Sequence, residues 1–148
     1  MSRAALLLLL AACAAPGRAA DPARNPALAG LGPNEWVLVH EQKKGELTFR
    51  RQPHGGSCFD AKRNRLVLFG SDTHGKDFAN SPLFFSTAEL KWSRAYADDP
   101  RTAYDVTRDG LAVAGTGGAH PWAMHTFGSV VYDAARDEMI VPVFDDHL

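Results

Sequence analysis

Cysteine is close to missing from this chain: two stand among its 148 residues, Cys13 and Cys58. That excludes a framework of several disulfides, the common support of small exported domains, so packing has to supply the stability. A surplus of basic charge is missing too. Sixteen Lys and Arg face 17 Asp and Glu, a net charge of −1, which leaves no positive field to hold a nucleic-acid backbone. The apolar run Ala4 to Ala12 is too short to span a bilayer as a helix, so no membrane span is expected. Catalytic signatures are lacking as well, with no serine-histidine-acid elbow, P-loop, dinucleotide fingerprint or clustered zinc ligands.

What is present points to short strands. Thirteen glycines and nine prolines are scattered without a fixed period, as suits many tight turns, and the expected class is all-β. At the N-terminus, Arg3, the run Ala4 to Ala12 and the small residues around Pro16 and Gly17 read as a signal peptide over residues 1–19. Gly17 and Ala19 allow cleavage before Ala20, and the expected location is periplasmic or extracellular. Leu10-Ala11-Ala12-Cys13 offers a second route, lipid attachment through Cys13. Cleavage removes Arg3 and Arg18, taking the net charge from −1 to −3, and leaves Cys58 as the one cysteine. Residues 20–33, rich in Pro, Gly and Ala, are expected to form a linker.

Two stretches look alike. Gly55-Gly56-Ser57-Cys58-Phe59-Asp60 leads through a polar turn at Asn64 to Leu66-Val67-Leu68-Phe69. Gly128-Ser129-Val130-Val131-Tyr132-Asp133 leads through Asp137 to Met139-Ile140-Val141. Each predicts a β-hairpin, because Asn and Asp tolerate the backbone angles such turns need. Further strands are expected at Leu83-Phe84-Phe85 and around Lys91-Trp92-Ser93-Arg94, making four in succession.

His54, Phe59-Asp60, Asn64, Leu66 to Gly70, Asn80, Leu83-Phe84-Phe85 and Trp92 together resemble the kelch repeat. That family builds one four-stranded blade of a β-propeller from each repeat of roughly 50 residues. The second unit departs from the pattern, with Pro142 and Val143 where the family has paired glycines. The resemblance implies an incomplete kelch-type β-propeller of about two blades over residues 34–148. Its parts would be a blade-closing strand at 34–40 carrying Trp36, a full blade at 53–97, an insertion at 98–124 and the start of a next blade at 125–148. Trp36 and Trp92 are then expected in the core between blades. The chain is expected to be an N-terminal fragment of a longer propeller and to self-associate when purified alone, because a blade pair leaves apolar faces uncovered.

Six histidines are candidates for chemistry: His40, His54, His74, His120, His125 and His147. None of their spacings along the chain makes a tight ligand pair, so no metal is expected. His54 is expected to cap the first strand and His125 to open the next, each bonded to backbone. The candidate ligand-binding residues are Trp122, His125 and His120, in a string dense in large side chains, with Trp122 offering a face on which a sugar ring can stack. The leading reading is a carbohydrate- or protein-binding scaffold without catalysis or cofactor. The alternative is a fragment of a copper radical oxidase resembling galactose oxidase, in which Cys58 and Tyr104 would form the thioether of the copper site. Asp98-Asp99 and Asp145-Asp146 adjoin turns and are expected to be solvated.

Overall fold

The computed structural model describes residues 25–49, 51 and 53–141. The expected signal peptide, Cys13 and the start of the expected linker lie outside the described residues, as do Pro142, Val143, Asp145-Asp146 and His147. Nine short strands, one α-helical turn and two 3-10 turns are found among the described residues, and the class is all-β. No helix among them is long and apolar enough to cross a membrane.

The first sheet has four antiparallel strands in sequence order: β1 (Gly56–Asp60), β2 (Arg65–Phe69), β3 (Leu83–Ser86) and β4 (Lys91–Arg94). Its first turn forms as the residues dictate. The Asp60 carboxylate accepts the Arg63 amide at 3.1 Å, and Asn64 takes a left-handed φ of 50°. Gly56 then faces Phe69, and Asp60 faces Arg65.

Alternation along the strands gives this sheet two faces. Phe59, Leu66, Leu68, Leu83, Phe85 and Trp92 share one, where the Phe85 and Trp92 rings meet at 5.2 Å. Successive turns between Lys43 and Arg51 lie against it, and they bury Thr48 and Arg51. Arg51 is only 2% exposed: its Nε donates to the Gly70 carbonyl at 2.6 Å and its Nη2 to that of Ser81 at 2.5 Å. Burial pulls the guanidinium pKa down while Asp98 opposes the shift, so this buried cation is held by two carbonyls and a nearby carboxylate.

The opposite face carries Cys58, Val67 and Phe69 and meets a second hairpin, β8 (Val131–Asp133) and β9 (Glu138–Ile140). Between the two lies the core of Phe69, Met124 and Val130, with Cys58, Trp122, Met139 and Val141 packed around it. Fully burying a side chain such as Phe69 is worth about 1.5–3 kcal/mol. The hairpin repeats the first turn's chemistry. Asp133 accepts the Ala135 and Arg136 amides, and Asp137 takes a φ of 61°.

One sequence expectation is corrected. Residues 34–40 form no strand, and Trp36 is 94% exposed instead of lying in a core. Apolar and β-branched residues favour a strand only where a partner strand takes up their backbone groups, and this segment pairs with none of the described strands. The insertion carries β5 (Asp105–Val106), β6 (Ala112–Ala114) and β7 (His120–Pro121), which make a third antiparallel sheet. Pro121 fits because it sits in a two-residue edge strand. The linker contains a helical turn, α1 (Pro26–Ala29), capped by Asn25, whose Nδ2 also donates to the Ala88 carbonyl at 2.8 Å.

Candidate functional site

At one end of the first sheet, three segments are laced together through their main chains. The His54 carbonyl, just before β1, accepts the amides of Thr126 and Phe127 at 2.9 and 3.1 Å. The Ser71 amide, just after β2, donates to the Met124 carbonyl at 3.0 Å. Thr126 is 1% exposed, and its hydroxyl accepts from the Gly56 amide at 2.6 Å and donates to the Phe69 carbonyl at 2.5 Å. The approach is so close that a Cβ on Gly56 would overlap the Phe127 carbonyl oxygen, which is why glycine stands there. Gly70 is needed for a second reason, its φ of 118°.

This lacing brings together residues far apart in the sequence. The rings of His54 and His125 stack with centroids 4.3 Å apart and planes 21° from parallel. His74 tilts against His125 at 4.5 Å, and Phe127 closes the group edge-on at 5.6 Å from both His54 and His125. Asp72 lies beside them, its Oδ1 3.5 Å from His54 Nε2, while that same oxygen accepts the Gly75 amide at 2.9 Å. Thr73 Oγ1 is 3.0 Å from His125 Nε2. His125 is 6% exposed, His54 and Asp72 are half-buried, and His74 is exposed. One donor atom from each of His54, Asp72 and His125 lies within 4.8 Å of the others.

The imidazole of His54 thus reaches a carboxylate and not the backbone group expected for it; its carbonyl does the backbone bonding. Its Nδ1 is buried without a hydrogen-bond partner.

The other sequence candidates lie elsewhere. His120 is held by Asp99, Nδ1 to Oδ2 at 2.7 Å, with Tyr96 stacked flat on it at 3.7 Å. Asn80 donates to that same Asp99 oxygen, and its hydrogen bond, followed by that of His120, holds the Asp99 carboxyl below its ordinary range. Asp98 accepts the Ser81 amide. The two carboxylates are therefore fasteners and not merely solvated turn residues. Trp122 gives its indole N–H to the carbonyls of Val113 and Asp105, at 2.7 and 3.1 Å, and packs on the core. Of the three expected binding residues, the histidine group includes His125 alone.

Cys58 packs on the Phe69–Met124–Val130 core, where burial pushes its thiol pKa up. Tyr104 donates to the Phe78 carbonyl at 2.7 Å, and burial raises its hydroxyl to about 12. Both groups are therefore protonated near neutrality. A cleft of about 600 Å³ runs past Tyr104, Asp105 and Val113 and includes none of the histidine group. Compared with known proteins, the chain matches no family model, no curated protein and no solved structure.

Proposed function

We propose that this chain is an exported binding protein built on kelch-type propeller blades, with residues 1–19 as its signal peptide and its ligand site on the loop face around His54, Asp72, His74, His125 and Phe127. One observation carries the site: three segments, before β1, after β2 and before β8, are fastened by main-chain hydrogen bonds so that four rings and a carboxylate meet at one end of a rigid sheet. Loops held by a scaffold are where binding residues concentrate. In support of the propeller reading, a four-stranded antiparallel sheet packs face to face with a hairpin of the same turn chemistry. The lack of a catalytic motif favours binding over catalysis, and a carbohydrate or a protein segment is the ligand class, since Phe127 is an exposed aromatic beside polar groups.

A glycan array and a partner pull-down test this with the wild-type protein and the Phe127→Ala, His74→Ala and Trp122→Ala variants. Binding lost with Phe127→Ala and His74→Ala but kept by a folded Trp122→Ala variant is the expected result. Binding lost with Trp122→Ala alone would move the site to the insertion, and the absence of any glycan or protein ligand for the folded chain would overturn the proposal.

A further inference from the structure

The geometry points to a divalent metal site at His54, Asp72 and His125, taking an ion of the zinc class with a coordination position left open toward His74. This rests on the loop face as the ligand site and names what the face holds first.

Four observations bear on it. The donors are two imidazoles and one carboxylate, a set that suits borderline ions such as zinc or copper(II); calcium demands six to eight oxygens, and nitrogen makes up most of this set. The donors sit within 4.8 Å of one another, whereas donors on a tetrahedral ion with bonds of about 2.0–2.1 Å stand roughly 3.4 Å apart, so small side-chain rotations close the site. The nitrogen of His54 on the Asp72 side, Nε2, stands 3.5 Å from Asp72 Oδ1, longer than a firm hydrogen bond, so no close protein partner consumes it. Finally, the surroundings orient the donors: Gly75 N–H fixes Asp72, Thr73 Oγ1 meets His125, and the Thr126 and Phe127 amides anchor the His54 main chain.

With three protein donors, the ion has a fourth position for a ligand oxygen or nitrogen. His74, exposed and with its ring 4.5 Å from that of His125, stands beside it. An oxygen donor of the bound ligand is the chemistry that this position receives, beside Phe127.

The test is equilibrium dialysis of the untagged protein against zinc, read by elemental analysis, with titration calorimetry for affinity and the visible spectrum of the cobalt form for ligand type. One ion per chain is expected, with a cobalt spectrum of nitrogen and oxygen ligation. Asp72→Asn and His54→Gln should each weaken zinc binding by at least about tenfold, since even residues that only orient ligands cost about 10–100-fold. His120→Gln, at the separate Asp99 cluster, should leave the affinity unchanged. Circular dichroism and a melt show that each variant is folded. His125 is buried, so its variant serves only as a further check. The inference is overturned if the folded wild type binds no zinc, or if Asp72→Asn and His54→Gln bind as well as wild type. Failure of zinc to bind leaves glycan or protein binding to the loop face intact, so the two proposals fall separately.

Discussion

The two hairpins share a turn and differ in what covers them. In β1–β2, Asp60 is 1% exposed and bonds to both Arg63 and Arg65; in β8–β9, its counterpart Asp133 bonds to Arg136, a side chain 71% exposed. Val67 is 3% exposed and its counterpart Ile140 is 42% exposed. Gly56, with no room for a Cβ, corresponds to Ser129, which carries one. Equal local sequence therefore yields equal local geometry, while burial comes from neighbours: the first hairpin has β3 at its edge and the second hairpin on its face. Turn chemistry is a local property, and stability is a property of packing.

The sharpest way to break the comparison is in the core. Phe69→Ala should cost about 3–5 kcal/mol, measured by urea unfolding, because it empties the space between the two hairpins. Ile140→Ala, in the exposed hairpin, should cost under about 1.5 kcal/mol. Equal losses would mean that the second hairpin is as buried in solution as the first.

The next test uses charge. Burial alone would raise the Asp60 carboxyl, but hydrogen bonds from Arg63 and Arg65 overcome this and leave it below its ordinary range. A carboxyl depressed in the folded state stabilises above its unfolded pKa, about 3.9, and loses that contribution as the pH falls through the folded value. Melting midpoints should hold from pH 7 to 5 and drop below about pH 4. Asp60→Asn should flatten part of that drop and cost about 1–3 kcal/mol at pH 7, against roughly 0.5 kcal/mol or less for Asp133→Asn.

The smallest effect belongs to the link between the turns. Arg63 grips Asp137 through both guanidinium nitrogens, at 2.6 and 2.8 Å, and Lys62 and the Tyr132 hydroxyl join them. The Asp137 carboxyl is driven far below the carboxylate range, first by Arg63. Lys62 and Arg63 are exposed and Asp137 is half-buried, so Arg63→Gln should lower the melting midpoint less than Asp60→Asn, and most of the difference should go at about 1 M salt. Arg136→Gln should change nothing measurable, since its side chain is 71% exposed in its pair with Asp133.

Both hairpins and both outer strands were legible in the sequence, because Asn64 and Asp137 mark their turns and β-branched or aromatic residues alternate around them. Residues 34–40 misled for the reason that makes strands hard to read: Glu35-Trp36-Val37-Leu38-Val39 has the composition of a strand, but pairing is not written in composition. The histidine group was half legible. Aligning the repeats at Asp60 and Asp133 sets His54 and His125 at the same end of neighbouring hairpins, six and eight residues upstream. A search for ligands closely spaced along the chain passes over it, since the fold, and not the spacing, joins residues 54, 72 and 125. Nothing in the sequence marks Arg51 as buried, because its partners are main-chain carbonyls that carry no residue signature.

The Thr126 junction has a consequence for how the molecule opens. One hydroxyl bridges Gly56 and Phe69, and the adjoining amides reach His54, so strands paired within the first sheet are also tied to the segment leading into the second hairpin. Amides at Gly56, Ser71 and Thr126 belong to a single cooperative unit, and their exchange with solvent requires that unit to come apart as a whole. All these ties except that hydroxyl are main chain, so the rings at the rim can be exchanged for others while the scaffold beneath keeps its shape.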